Sequence, residues 1–371
     1  MKVAIFCPYD FSFPGGVQTQ ALDLAVSLKN KGQNVFLFAP LSDKNIHEIN
    51  DIPFFNLGKP FTFSFLGSKS RISINIIKIL KISNYLNKND FDIIHLNEPL
   101  SPTYLLLIYL VRKIKIVGTF HAYGEKKHFW YFYFKSFLNF FLKKIDYKIC
   151  VSNSSQKYIN RYFDFESIII PNGINLQKYR DIKEKPKILR NSNKKILFVG
   201  RFEEQRKGFN LLLNSFNKLS KEIKNLDLIV AGPGNSKNFK IKNPNADFNK
   251  ISIIGTVLQS ELPSFYKNVD VICLPSLENE SFGVIILEAM ASGKILVLSN
   301  IESYKELSEK NNYGFLYTYN STEDLYNLLY NLLNKKISVG KNIKNGLKNV
   351  QNYSWDYLVS EIINIYKKLL K

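Results

Sequence analysis

Apolar residues along the chain fall into two alternating patterns: short solid runs, and longer stretches in which leucine, isoleucine and alanine return every third or fourth position. KVAIFC opens the chain and is followed by Gln18 to Lys31 at helical spacing; NVFLFAP, DIIHL, KIKIVGTF, KICVS and SIIIP come next. Solid runs bounded by Gly, Pro or Asn read as strands buried on both faces, and their alternation with helices predicts a parallel sheet covered on both sides. After ProAsnGly at 171–173 and a Lys-rich polar stretch the rhythm restarts with KKILFVG, LDLIVAG, ISIIG, VDVICLP, KILVLSN and GFLYTY. The pattern therefore predicts an α/β protein of two doubly wound Rossmann-like domains, 1–172 and 173–354, facing one another across a cleft. An amphipathic helix at 355–371 is expected to pack back on the first domain.

Composition narrows this only a little. A length of 371 residues suits two domains, and 45% apolar with 22% charged residues excludes collagen, coiled coil and disordered tails. Cys7, Cys150 and Cys273 lie in or beside apolar runs and form no paired framework, which fits a reducing cytosol. MKVAIFCPYD is too short in its apolar part for a signal peptide and reads as a first strand. The longest apolar stretch, Phe129 to Leu142, is interrupted by Lys135 and is too short to span a bilayer.

Charge opens more possibilities than it closes. With 51 Lys and Arg against 31 Asp and Glu, the net charge of +20 suits nucleic acid, an anionic membrane, phosphorylated substrates, or a codon bias toward lysine. Between Arg112 and Lys148, basic residues surround the aromatic stretch FWYFYFKSFLNFFL. That is the composition of a segment in a lipid headgroup layer, and equally of a core helix with solvated ends. A nucleic-acid binder predicts a concentrated stripe of charge; here most of it is distributed, so no nucleic acid is expected.

Open α/β sheets bind ligands beyond the carboxyl ends of their strands, which directs attention to the loops there. Pro14, Gly15 and Gly16 follow the first strand and precede a helix, a turn that lets backbone amides approach an anion or that is only tight. Gly200 to Gly208, GRFEEQRKG, follows the first strand of the second domain, and Arg201 and Lys207 could grip two phosphates. Arg206 in the same loop reads as a solvated charge. Glu280 and Glu288 frame a predicted helix from Ser281 to Gly293, about 12 Å apart at 1.5 Å per residue, too far to act on one bond but suited to two hydroxyl-binding points on an extended ligand. Helix-start amides at Phe282 and Gly283 lie between them. His121 ends a strand, whereas His47 lies in a polar loop, His95 within a strand and His128 beside the aromatic stretch. No HExxH or CxxC pair points to a metal, and no GxSxG elbow or phosphate-binding GxxxxGK[ST] loop is present.

Together these motifs resemble the GT-B glycosyltransferases of the large retaining family 4. Glu280 to Glu288 is similar to the family's paired-glutamate signature, and GRFEEQRKG and PGGVQ resemble its phosphate-binding loops. CPYDFSFPGGVQ, HLNEPLSP, TFH and ESFGVIILEAMASG further resemble the branch that moves mannose from GDP-mannose to phosphatidyl-myo-inositol. The resemblance implies that Gly16, Arg201 and Lys207 bind the donor diphosphate, that Glu280, Ser281, Phe282 and Gly283 hold the transferred sugar, and that Glu288 binds the ribose. It implies His121 as the catalytic histidine near the reacting sugar, with Glu280, Arg201 and Lys207 sharing the chemistry, and Tyr9, Gln18 and Arg71 as acceptor-binding residues. No metal or other cofactor is implied; the partners are a nucleotide sugar and an anionic membrane surface with its lipid acceptor, on the inner face of the cell membrane. Lys69, Arg71, Lys78 and Lys81 would contribute to that surface. Leu66 replaces an expected Asn in the acceptor loop and Leu262 an expected donor-side Lys, which keeps a UDP-sugar transferase with another lipid or polysaccharide acceptor as the alternative.

Overall fold

The computed structural model describes residues 1–13, 15–42, 48–65, 68–125, 129–180, 182 and 184–371, with the backbone alone at 63–65 and 68–70. Pro14, His47, Leu66, His128 and the Lys69 side chain, singled out above, lie outside the described residues.

The chain divides into two units, Met1–Ile174 with Tyr353–Lys371, and Asn175–Asn352. Strands of the first unit are β1 (Lys2–Phe6), β2 (Asn34–Ala39), β3 (Glu48–Ile49), β4 (Ile52–Asn56), β5 (Phe61–Phe65), β6 (Ser68–Ile72), β7 (Ile93–Asn97), β8 (Lys115–Phe120), β9 (Tyr147–Cys150) and β10 (Ile168–Ile169). Those of the second are β11 (Lys194–Val199), β12 (Leu226–Ala231), β13 (Ile251–Gly255), β14 (Val271–Leu274), β15 (Ile295–Ser299) and β16 (Phe315–Tyr317).

Among the described residues the first sheet runs β10-β9-β8-β7-β1-β2-β4-β3 and the second β13-β12-β11-β14-β15-β16. Both are doubly wound: the order turns round between β7 and β1, and again between β14 and β11. Alternation along β1 shows how the two faces are filled. Val3 and Ile5 join a core with Leu24, Leu37 and Leu358, while Ala4 and Phe6 join another with Phe38, Tyr104 and Leu138. Burying each such large side chain contributes about 1.5–3 kcal/mol.

The helix Trp355–Leu369 lies in the first unit and shares a core with the helix Gly16–Asn30. Backbone bonds hold its start: Ile174 N–H donates to Tyr353 O at 2.8 Å and Trp355 N–H to Ile174 O at 3.1 Å. The Trp355 ring covers Gly173 so closely that a Cβ there would lie 2.5 Å from it. His95 is part of this packing, with Nδ1 2.6 Å from Tyr366 Oη and Nε2 2.7 Å from Thr119 Oγ1. The predicted helix from Ser281 begins later than expected, at Val284, because Gly283 adopts φ 87° and does not continue the helical path backwards.

Candidate active site

In the second unit the pairing of β11 with β14 brings together two loops far apart in sequence. One is Gly200–Gly208; the other runs from Pro275 to Gly283. Gly208 has φ 65°, and a Cβ on it would lie 1.8 Å from Pro275 O, so the loops are in direct backbone contact. Leu277 N–H donates to Arg206 O at 2.7 Å across the same seam.

This contact aligns a chain of ion pairs. Lys207 Nζ lies 2.5 Å and Arg206 Nη1 3.0 Å from the same oxygen, Glu280 Oε1. Arg206 Nη2 lies 2.8 Å from Glu204 Oε2, and Arg201 Nη1 3.0 Å from Glu204 Oε1. Burial alone would raise the Glu280 carboxyl, but Lys207 and Arg206 outweigh it and hold it below its usual range. Three cations on two carboxylates leave a positive surplus, with Arg201 at 38% side-chain exposure the most accessible of the three. Beside them the helix Val284–Ser292 starts with no side-chain cap and no acidic residue in its first turn. Glu288, on that helix, is 8% exposed and accepts a 2.5 Å hydrogen bond at Oε2 from Tyr266 Oη. Ser281 and Phe282 lie in the loop leading into the helix, and Leu262 is buried at the start of the helix Leu262–Lys267.

In the first unit the loop after β1 leads into the helix Gly16–Asn30, which likewise lacks a side-chain cap and first-turn acid. A Cβ on Gly16 would meet nothing within 4 Å, so the chain's own packing does not require glycine there. Gln18 and Arg71 reach Asp10, which is 1% exposed, and Tyr9 precedes it in the chain. Tyr9 bridges to Ile72, Gln18 Nε2 donates to Asp10 O at 3.3 Å, and Arg71 Nη1 lies 3.9 Å from Asp10 Oδ2 with its guanidinium 3.6 Å above the Phe13 ring. Asp10 itself is fixed by Ser12 N–H and by the N–H and hydroxyl of Ser42. Arg71 reaches this point because β5 and β6 form an antiparallel pair that sets it opposite Thr62.

His121 follows β8, next to β7 in the sheet. Asn97 donates its Nδ2–H to Phe6 O at 2.9 Å, which turns its Oδ1 toward His121 Nε2 at 2.9 Å. With Asn97 Oδ1 as the acceptor, Nε2 donates in this arrangement. Burial lowers the imidazole to about 4, against a hydrogen bond with Asn172 that raises it, so the ring is neutral near pH 7. The His121 N–H donates to Glu98 Oε1 at 2.7 Å.

Several participants were not legible as such in the sequence. Arg206 is not a solvated charge: at 15% exposure it joins Glu204 to Glu280. Asp10, Asn97, Glu98 and Glu204 lie inside the motifs quoted above without a role of their own, Asn172 follows β10, and Tyr266, within the helix Leu262–Lys267, carries no sequence signal. The aromatic stretch forms two short helices, Phe129–Tyr133 and Lys135–Leu142. Tyr131, Leu138, Phe141 and Leu142 face the core, whereas Phe129, Phe132, Tyr133, Phe137 and Phe140 are exposed. Lys144 Nζ sits 5.5 Å and 5.4 Å from the Tyr109 and Phe140 ring centres. Among the described residues no helix is long and apolar enough to cross a membrane, and no group of three or more His, Cys, Asp or Glu is arranged to hold a metal ion.

Residues 14–178 match the sequence pattern of Glycosyltransferase Family 4, and residues 180–349 that of Glycosyl transferases group 1. The chain is 27% identical to the phosphatidyl-myo-inositol mannosyltransferase of Mycobacterium leprae, over 99% of this chain and 96% of that protein. Among solved structures, a glycosyltransferase from Rickettsia africae superimposes with a TM-score of 0.78 at 23% identity, covering 100% of this chain and 98% of that one. HepE of Anabaena, solved in complex with UDP and glucose, gives a TM-score of 0.79 at 16% identity, covering 99% and 100%.

Proposed function

From the premise that the chain belongs to the GT-B glycosyltransferases, with a family 4 domain followed by a group 1 domain, and is a hexosyltransferase, we propose that it transfers mannose with retention from GDP-mannose to a membrane lipid such as phosphatidyl-myo-inositol. The observation that carries this reading is the ion-pair chain Arg201–Glu204–Arg206–Glu280–Lys207 beside an uncapped helix start. Breaking a sugar–diphosphate bond builds negative charge on the leaving phosphate and positive charge on the anomeric carbon. Arg201 and Lys207 meet the first; Glu280 faces the second through the sugar hydroxyls, and Glu288 takes the ribose. Side-chain cations perform this role without a metal ion. His121, neutral and oriented by Asn97, acts at the reacting sugar, and Tyr9, Gln18 and Arg71 bind the acceptor phosphate.

A lipid acceptor requires docking at a bilayer. The exposed rings of residues 129–140 supply apolar insertion, and Lys135, Lys143, Lys144 and Lys81 supply attraction to anionic lipid, about 1 kcal/mol for each residue at the surface. Peripheral attachment at the inner face of the cell membrane follows from this reading.

The test is transfer of labelled mannose from GDP-mannose into phosphatidylinositol vesicles, with thermal-shift measurements against GDP- and UDP-sugars. Stabilisation by GDP-mannose with label in the lipid fraction supports the reading. Stabilisation by UDP-sugars instead would favour the alternative that the buried Leu262 keeps open.

A further inference from the structure

We propose that Glu98 is a positioning residue for His121, its carboxylate holding the turn that aims the imidazole. This rests on the reading of His121 as the histidine beside the reacting sugar. Every polar group of Glu98 is engaged at this corner. Its N–H donates to Thr119 O at 2.8 Å and its carbonyl accepts from Ser101 N–H at 3.0 Å. Its carboxylate accepts the backbone N–H of His121 at 2.7 Å and that of Ala122. Glu98 also has φ 55°, a left-handed conformation that a residue with a side chain keeps only when its surroundings over-determine it. Glycine or asparagine would make this turn with less strain; a carboxylate adds an acceptor for two adjacent amides. Asn97 and Glu98 thus fasten His121 at its two ends, one by the ring and the other by the backbone.

Glu98 is 7% exposed. Among the described residues, the titratable groups facing it are Cys7 and Tyr9 beyond β1, Tyr104 from the helix Pro102–Leu110, Tyr131 from the helix Phe129–Tyr133, Cys150 on β9 and Tyr158 from the helix Asn153–Asn160. Each of these is neutral near pH 7, as is His121. In this setting burial outweighs the two amide donors and lifts the Glu98 carboxyl to about 7. Protonation converts one of its acceptor oxygens into a donor, and the 121–122 turn then loses one of its two anchors. A raised carboxyl pKa favours the fold below the ordinary value of 4.5 and ceases to do so as the pH rises through about 7. Stability and positioning therefore pull in opposite directions across that window, since the ionised form costs stability and holds the turn.

Glu98→Gln mimics the protonated acid, with one acceptor and a donor in place of the second. Exchange of the His121 and Ala122 amides with deuterium, corrected for intrinsic rates, reads the turn directly in the full chain without substrate. In the wild type, protection should fall about tenfold as the pH drops from about 8.5 to about 5.5. In Glu98→Gln it should be low and flat, with thermal stability at about pH 8 equal to or above wild type. With GDP-mannose and phosphatidylinositol vesicles, kcat of the variant should be about tenfold lower with KM for the donor unchanged. Wild-type protection that is flat with pH, or a Glu98→Gln profile that follows the wild type, overturns the proposal. Full transfer by His121→Ala would instead remove the role of His121 while leaving the exchange result to stand or fall separately.

Discussion

Lys207 Nζ stands 2.5 Å from Glu280 Oε1, across 73 residues of sequence. A phosphate oxygen presents the same kind of anionic acceptor to an ammonium as this carboxylate does.

Lys207→Met leaves Glu280, 13% exposed, with Arg206 as its remaining partner among the two cations. The folded carboxyl titrates below its ordinary value of 4.5, so its ion pairs stabilise the fold at pH values above that and lose this effect as the pH falls through the lower folded value. The variant should be less stable than wild type by about 2 kcal/mol near pH 7, less than the loss of a sole buried partner. Denaturant unfolding near pH 7 and again near pH 3 checks it: the gap should narrow in acid, and a constant gap contradicts the assignment.

Arg201 is 38% exposed and its pair with Glu204 is an (i, i+3) surface contact, worth no more than about 1 kcal/mol. Arg201→Ala should therefore melt close to wild type while transfer slows about 100- to 1000-fold through loss of charge stabilisation at the leaving group. Near-normal turnover would remove the diphosphate role.

Gly16 begins its helix with open space where a Cβ would go. Gly16→Ala should leave the melting temperature unchanged or raise stability by up to about 1 kcal/mol, because alanine is the better helix former. If a donor phosphate approaches that backbone, the added methyl should still slow transfer at least about tenfold. An equally stable and equally active variant would show that no ligand comes near.

Replacing Phe132, Tyr133 and Phe137 by Ser should weaken vesicle binding while preserving the fold, since Tyr131, Leu138 and Phe141 keep the buried contacts. Lys143→Glu with Lys144→Glu should reduce binding to anionic vesicles at low salt, about 1 kcal/mol for each lost cation. Co-sedimentation with phosphatidylglycerol and phosphatidylcholine vesicles distinguishes the two contributions. Binding that responds to neither set of changes rules out this face.

The architecture was legible because its signals are local. Solid apolar runs marked the sheet strands apart from β3 to β6, glycine-bearing loops marked strand ends, and the restart after residue 173 marked a second sheet. The helix framed by the two glutamates was legible too, but its start was not. Whether a helix begins at Ser281 or Val284 turns on one glycine entering a left-handed conformation, which propensity does not specify. The charged loop failed in a more instructive way. The spacing set Arg201 and Lys207 apart as phosphate ligands and left Arg206 to solvent, whereas the carboxylates brought against the loop make Arg206 the link between two acids and leave Arg201 the more exposed.

By itself the sequence determined which segments become strands and helices, and hence which residues stand at strand ends, because hydrophobic periodicity acts within a few residues of each position. Only the tertiary structure decided which strand ends are neighbours. β11 pairs with β14, past two intervening strands, and β7 pairs with both β1 and β8. Those pairings set Lys207 against Glu280 and Glu98 against His121. They arise from the right-handed packing of crossover helices on both faces of each sheet, a global outcome that no short stretch of residues encodes.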